Sequence, residues 1–387
     1  MTDIQTQIRP EDFNEQQKNA VARAVEWFKG WQSGAHKKQI FRLGGFAGTG
    51  KTTVAQHIAN LCGGENRVVF IAPTGKAASR LRQKGCKFAK TFHSFVYNVR
   101  GEDAEGDPIF IAKGALDEKP LLVMCDEASM VGGYDRRNLL QHGLPVLELG
   151  DPGQVPPVKD SQEFTMNTLD VLLEQIERNA GNIVKASMFV RQGKRLPLRE
   201  YDDVRVRDGK PDGETIKEHL GEDGVIICSY NSTRVAMNMK ARELLGFSGE
   251  LPQVGEKVIC TFNQHGHGFM NGEQGIVVNY ADIPPEERED DDDEDLMYLR
   301  IKSLTDGRER QILFNPVSFS PDEEQRKSAQ KGIGGMDFGY VLTVHKSQGS
   351  EWPRVMIMEE RLRGVPHEQM LYTAITRAID QFTLYRQ

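Results

Sequence analysis

Gly44-Gly45-Phe46-Ala47-Gly48-Thr49-Gly50-Lys51-Thr52-Thr53 is the stretch that decides the fold. It is a complete G-x-x-x-x-G-K-T string. A short apolar strand, Ile40 to Leu43, precedes it, and a helical pattern from Val54 to Ala59 follows. A strand aims such a loop, its glycines let backbone N–H groups close on phosphate oxygens, and the helix N-terminus adds positive dipole. Gly45, Gly48, Thr49, Gly50, Lys51, Thr52 and Thr53 are therefore the expected nucleotide-binding residues. Lys51 is expected to reach the β- and γ-phosphates, and the Thr52 hydroxyl to hold Mg²⁺. The expected cofactors are a nucleoside triphosphate and Mg²⁺.

Further apolar runs extend this pattern in both directions. Val68–Ala72, Pro120–Cys125 and Leu144–Leu149 read as continuous strands separated by helices, and Phe13–Phe28 as an amphipathic helix. Such runs indicate an α/β fold whose parallel sheet is covered on both faces, with ligands at the carboxyl ends of its strands. Residues 97–118 interrupt the rhythm as a β-hairpin insertion. A second α/β unit is expected from residue 166, with a strand at Val225–Tyr230 and a helix at Thr233–Leu245. Short strands with turn signals over residues 252–335 suggest a small β-barrel inserted in it. The expected domains are 1–165, 166–251 with 336–387, and the insertion 252–335.

Polar motifs follow the strand ends. Asp126-Glu127 come after Leu121–Cys125. A carboxylate there can hold Mg²⁺, and the next can take a proton from attacking water. Asp126 is thus expected to bind metal and Glu127 to act as general base. Gln154, within Gly150-Asp151-Pro152-Gly153-Gln154, offers a neutral amide to the γ-phosphate or to water. Arg178 and Arg377 lie outside the first α/β unit and are candidates to stabilise charge on the transferring phosphoryl group.

Composition sets bounds. Of 387 residues, 27% are charged and mean hydropathy is −0.51, with no apolar run long enough to span a membrane. The N-terminus lacks a signal pattern, and five dispersed cysteines without C-x-x-C spacing read as reduced thiols, so a cytoplasmic location is expected. Net charge is −7, which argues mildly against a nucleic-acid partner. Residues 286–295 hold nine acids and one base, however, and without them the balance is close to neutral. Such a run reads first as a solvated loop.

Taken together, the motifs resemble superfamily 1 DNA helicases, in particular the RecD-like and Dda-like group. Phe13-Asn14-Glu15-Gln16-Gln17 is similar to the Q motif, and the phosphate loop to motif I. Ala72-Pro73-Thr74-Gly75-Lys76 resembles motif Ia, and Thr91-Phe92-His93-Ser94 the next strand-binding motif. Asp126 to Met130 resembles motif II, Gly150 to Pro157 motif III and Glu177-Arg178-Asn179-Ala180 motif IV. Leu342 to Trp352 resembles motif V and Tyr372 to Ala378 motif VI. The resemblance implies two RecA-like parallel-sheet domains, a pin at 97–118 and an SH3-like barrel at 252–335. It also implies ATP as the triphosphate, hydrolysed where the two domains meet, and 5′→3′ movement on single-stranded DNA. Gln17 would read adenine, and Pro73, Thr74, Thr91, Phe92, His93, Ser94, Thr343, His345 and Lys346 would contact the strand. The implied partners are single-stranded DNA and its junctions with duplex; replication or recombination proteins are further candidates, and a monomer is expected. The acidic run and the compact pin depart from the family pattern. A translocase that strips proteins without opening duplexes, or a nucleotide-dependent switch, are the rival readings.

Overall fold

The computed structural model describes residues 10–386 except 65, 103–107, 158–160, 176–180, 265–266, 282–295 and 332–333. The acidic run 286–295 and Arg178 therefore lie outside the described residues. The chain divides into two compact units: Met1–Asn98 with Phe110–Lys185, and Val99–Ile109 with Ala186–Gln387.

The first unit is built on a six-stranded parallel sheet of β1 (Ile40–Gly45), β2 (Val68–Ala72), β3 (Lys90–Thr91), β6 (Leu122–Cys125), β7 (Val146–Gly150) and β8 (Val171–Leu173). Their order is β3-β2-β6-β7-β1-β8. Every strand pair is parallel. The period of two sorts their side chains. Phe41, Leu43, Phe70, Met124 and Leu147 face one core with α1 (Glu15–Gln32), α2 (Lys51–Leu61) and α3 (Gly75–Gln83). Val69, Ile71, Val123 and Val146 face the other, with α4 (Phe92–Val96) and α5 (Gly133–Leu140). Both faces are buried, which is why β2, β6 and β8 carry unbroken apolar runs. β4 (Tyr97–Glu102) and β5 (Pro108–Ala112) form a separate two-stranded sheet.

The second unit holds a sheet of β9 (Arg199–Glu200), β10 (Val204–Asp208), β11 (Gly224–Cys228), β17 (Val341–Thr343), β18 (Trp352–Glu359) and β19 (Ala378–Arg386). The order is β17-β11-β18-β19-β10-β9, parallel except at the β9 edge. Helices α7 (Gly213–Lys217), α8 (Asn231–Leu245), α10 (Val344–Ser347) and α11 (His367–Ile375) accompany it; α6 (Asn182–Arg191) carries the chain in from the first unit. Between β11 and β17 lies a five-stranded antiparallel sheet, ordered β15-β14-β13-β12-β16. Its strands are β12 (Lys257–Cys260), β13 (Gln274–Ala281), β14 (Met297–Ser303), β15 (Glu309–Phe314) and β16 (Met336–Phe338), with α9 (Glu323–Ala329) before the last. Its edge strands β15 and β16 share no ladder among the described residues.

Two expected boundaries move. β8 pairs with β1, so the first unit reaches Lys185 and does not end at 165. The run Val171-Leu172-Leu173 completes a sheet begun 130 residues earlier, a long-range pairing that local pattern does not reveal. Likewise β16 joins β12, so the insertion runs past 335 to Phe338. The insertion and the second sheet share one apolar core, with Val258, Phe314 and Phe338 beside Ile226 and Met356. A buried fork fastens it to α8: Arg242 Nε and Nη2 donate to Glu256 at 2.7 and 2.9 Å, and the guanidinium lies 4.1 Å from the Phe338 ring centre. No helix among the described residues is long and apolar enough to cross a membrane, and all five cysteines are buried free thiols.

Removing one partner of a buried ion pair strands the other charge, at a cost of about 3–5 kcal/mol. Arg242→Met is accordingly expected to lower stability by that amount in urea unfolding followed by circular dichroism, whereas Lys240→Met, in an exposed pair with Glu243, leaves the midpoint unchanged.

Candidate nucleotide and strand-binding site

β1 delivers the chain into the phosphate loop, and two features give the loop its shape. Gly48 and Gly50 take φ of 79° and 78°, the left-handed region that costs a side-chain-bearing residue about 1–2 kcal/mol. Gly45 is required for a different reason: a Cβ there would sit 2.7 Å from Thr49 Oγ1 and 2.8 Å from Lys51 Cγ. The loop is braced from within. Thr49 Oγ1 donates to Phe46 O at 2.8 Å, and Lys51 Nζ donates to the Gly45 and Phe46 carbonyls at 2.6 and 3.1 Å. Thr52 and Thr53 occupy the first turn of α2, whose N-terminal amides face the loop.

Gln17 is wholly buried at the start of α1. Its Nε2 donates to Thr49 O at 3.2 Å, while its Oε1 accepts the Asn14 N–H of a capping box. Both ends of the amide are engaged inside the protein. The geometry makes Gln17 a brace of the phosphate loop.

β7 lies between β1 and β6, with Gly44 level with Gly150 and Cys125 level with Glu148. At about 4.8 Å per strand, the loops after β1 and β6 leave the sheet about 10 Å apart with the β7 loop between them. These loops carry Lys51, Gln154 and Asp126-Glu127. Asp126 is half-buried; burial first, and the Glu127 carboxylate second, push its carboxyl up to about 6. Glu127 has φ 51° and ψ 38°, and among described residues it is alone in holding a positive φ without being glycine. A carboxylate kept in the left-handed region is a strained feature of the kind that clusters at functional sites. Gln154 is buried, and its Oε1 accepts no hydrogen bond from described residues.

Under these loops lies a cluster of charge. Glu148, on β7, accepts Arg42 Nε of β1 at 2.8 Å and Arg136 Nε of α5 at 2.5 Å. Arg136 is 1% exposed, and its Nη2 donates to Ala128 O at 3.3 Å, one residue past Glu127. Sequence reading missed this network. Its signal was present in Val-Leu-Glu-Leu-Gly, where a carboxylate interrupts an otherwise apolar central strand.

The expected strand-binding residues divide into distinct sets. Thr74, Thr91 and Thr343 each cap a helix that follows a parallel strand, accepting the N–H of Ala77, Ser94 and Lys346. Pro73 is half-buried beside Thr74, and Ser94 and Lys346 are exposed. His93 packs between aromatic rings, with its ring centre 5.4 Å from Tyr97 and 4.9 Å from Phe110, and burial pushes its imidazole pKa down. His345 is half-buried and shifts the same way for the same reason. Phe92 is a correction: at 1% exposure it belongs to the core under β2 and β6 and presents no face for a base.

In the second unit, Arg377 is buried. Its guanidinium donates to Thr373 O, Ser350 O and Thr376 Oγ1 at 3.0 to 3.2 Å, and it has no carboxylate partner among described residues. Trp352 Nε1 donates to Gln274 Oε1 at 2.9 Å, tying the segment after α10 to the inserted sheet.

Comparison with known families matches this arrangement. A model described as an AAA domain covers residues 12–208, and one described as a UvrD-like helicase C-terminal domain covers residues 338–385. The chain belongs to the AAA-domain family, and its C-terminal part resembles a UvrD-like helicase C-terminal domain. A protein named ATP-dependent RecD2 DNA helicase, from Deinococcus radiodurans, is 26% identical over 368 residues, covering 88% of this chain and 46% of its own length. A conjugal transfer protein TraA from Agrobacterium fabrum is 25% identical over 380 residues, covering 90% of this chain and 31% of its own. This chain thus spans less than half the length of these curated relatives. Among solved structures, Pif1 helicase from Candida albicans aligns at TM-score 0.56 and 16% identity, covering 96% of this chain and 94% of that one. Bacteroides Pif1 bound to single-stranded DNA aligns at 0.55 and 19%, covering 94% and 92%. At such identities the likeness carries the fold: α/β, with RecA-like parallel sheets.

Two outcomes follow for this family member. Over-packing a tight site costs about 1–3 kcal/mol, so Gly45→Ala is expected to weaken binding of a fluorescent ATP analogue about tenfold or more. Glu127→Gly relieves the left-handed backbone and is expected to raise stability by about 1 kcal/mol, read as an upward shift of the thermal midpoint.

Proposed function

We propose that this protein is an ATP-dependent DNA helicase that moves 5′→3′ along single-stranded DNA and acts at its junctions with duplex. The observation that carries the reading is the side-by-side emergence of Lys51, Gln154 and Asp126-Glu127 from β1, β7 and β6. A phosphate cradle, a neutral amide and two carboxylates at one sheet edge are the parts that nucleotide hydrolysis requires. The names of the RecD2 and Pif1 relatives support DNA as the polymer, and the direction of travel is what the motif resemblance to the RecD-like group implies.

In this reading, the loop amides and Lys51 bind the β- and γ-phosphates. The hydroxyl of Thr52 and the carboxylate of Asp126 would hold Mg²⁺. The fit is good: both are hard oxygen donors, and a carboxyl held up near 6 by burial and a neighbouring carboxylate gains from a cation beside it. Bound there, the ion would neutralise phosphate charge. Glu127 accepts the proton of the attacking water, and its fixed backbone keeps the carboxylate aimed. Gln154 Oε1, buried without a partner among described residues, accepts a hydrogen bond from that water or its Nε2 donates to the γ-phosphate. Arg377, held among the described residues by carbonyl and hydroxyl oxygens, and Arg178 counter charge on the transferring phosphoryl group.

The helix starts at Thr74, Thr91 and Thr343, with Pro73, Ser94 and Lys346, grip strand phosphates; His93 and His345 pack against bases. The two-stranded sheet β4-β5 serves as the pin. The antiparallel insertion is read as an SH3-like barrel.

Removing one phosphate-directed charge costs about 10²–10³-fold in turnover. Lys51→Ala is expected to lose ATP hydrolysis by at least about that factor while its affinity for labelled oligo(dT) stays within about twofold. The reading stands or falls on two assays. ATP turnover is measured with no polymer, with DNA and with RNA, and unwinding is measured on forks with 5′ or 3′ tails. DNA-stimulated turnover with opening of 5′-tailed forks is expected. Turnover indifferent to DNA would leave a nucleotide switch, and stimulation without fork opening a translocase.

A further inference from the structure

Helix α5 connects two places that the helicase reading assigns different work. One is the strand-binding segment 91–94, which Tyr97 follows at the start of β4; the other is the hydrolytic turn 126–130. From one face of α5, Asp135 and Asn138, three residues apart, hold the Tyr97 hydroxyl. Tyr97 Oη donates to Asp135 Oδ1 at 2.6 Å and accepts from Asn138 Nδ2 at 2.8 Å. Tyr97 is buried; that burial, with the Asp135 carboxylate beside it, raises its pKa, so it stays a neutral donor. Its ring packs against His93 and Phe110. Phe110, 41% exposed in the middle of β5, gives this aromatic group an open side.

From its other side, α5 sends Arg136 to the hydrolytic turn. Its Nη2 donates to Ala128 O, and that carbonyl also accepts the Val131 N–H. Ala128 follows the residue whose backbone is strained, so holding its carbonyl fixes the Ala128–Ser129 peptide, the second after Glu127, and with it the turn that carries the carboxylate. Arg136 itself has little freedom, since Glu148 clamps it and Glu163 lies 3.7 Å away. The helix is pinned at its start as well: a Cβ on Gly133 would sit 2.7 Å from Glu163 Oε1. A short helix so restrained moves as a body, because close-packed interiors transmit displacement.

We propose that α5 is the relay by which single-stranded DNA stimulates ATP hydrolysis, with Tyr97 as its input and Arg136 as a positioning residue for Glu127. A strand lying on His93 and Phe110 shifts the Tyr97 ring. The two hydrogen bonds carry that shift to α5, and Arg136 re-aims the Ala128 carbonyl and with it the general base. Neither Tyr97 nor Arg136 is among the residues assigned to nucleotide or to strand phosphate. The chain of contacts is contiguous and every link is a hydrogen bond or ring contact, the kind of network that carries coupling between sites. The relay rests on the helicase reading, since without a strand there is nothing to transmit.

The test uses the full chain and reads three quantities: basal ATP turnover, turnover with saturating oligo(dT), and the dissociation constant for labelled oligo(dT). Tyr97→Phe removes one hydroxyl and keeps the ring. It is expected to leave basal turnover and oligo(dT) affinity within about twofold and to cut the stimulated-to-basal ratio about fivefold or more, the lower end of measured couplings. Asn138→Ala, which removes the other bond to the same hydroxyl, is expected to act in the same direction and decides the matter if Tyr97→Phe does not fold. Arg136→Lys, keeping the charge beside Glu148 but losing the reach to Ala128 O, is expected to lower stimulated kcat with KM for ATP unchanged. If the wild type is stimulated and the folded variants are stimulated equally, the relay is wrong and the helicase reading survives. If the wild type itself is indifferent to DNA, both fall.

Discussion

Glu148 is the side chain on which the first unit turns. A carboxylate in the middle of a buried parallel sheet is tolerated only when its charge is matched and its oxygens are bonded. Here Arg42 arrives from β1 and Arg136 from α5. The cluster therefore locks together the strand that aims the phosphate loop, the strand that ends at Gly150, and the helix that reaches the turn after Glu127. An apolar triad of equal volume would pack as well or better in energy terms. It would not hold the Ala128 carbonyl, which needs a long donor arriving from beneath the sheet edge.

Above that layer, the site keeps certain groups away from internal partners. Among described residues, Gln154 Oε1 is buried and unbonded, and Arg377 donates to neutral oxygens alone. Glu127 holds a backbone conformation that glycine would take more easily. Each arrangement costs stability, and each leaves a group poised for charge or protons that arrive with a substrate. Gln17 differs: both ends of its amide find partners inside the protein, and through Thr49 it helps shape the loop.

The second unit solves a different problem. Inserting five antiparallel strands between β11 and β17 risks a loosely tethered module. The chain avoids this by sharing one core between sheet and insertion and by burying two ion pairs against α8, Arg242 with Glu256 and Arg234 with Asp337. Gln274 extends the tie to Trp352, so the insertion and the segment following α10 are joined by a buried hydrogen bond.

The residues alone determined the kind of fold and most of its chemistry. Continuous apolar runs specify strands buried on both faces, and G-x-x-x-x-G-K-T specifies a phosphate cradle because only glycines reach φ near 79° or admit the close approach seen at Gly45. Such information is local, written in period and in side-chain type. Tertiary structure decided what depends on distant pairing. It set the unit boundary at 185, because β8 adds to β1, and the end of the insertion at 338, because β16 adds to β12. It buried Phe92, which sequence offered as a base platform, and turned Gln17 inward. It brought Glu148, Arg42 and Arg136 together across 106 and 12 residues of chain, and placed Tyr97 against a helix 38 residues further on. A side chain's partner is fixed by which strands become neighbours, and that neighbour order, β6-β7-β1, is a property of the packed sheet that no window of sequence contains.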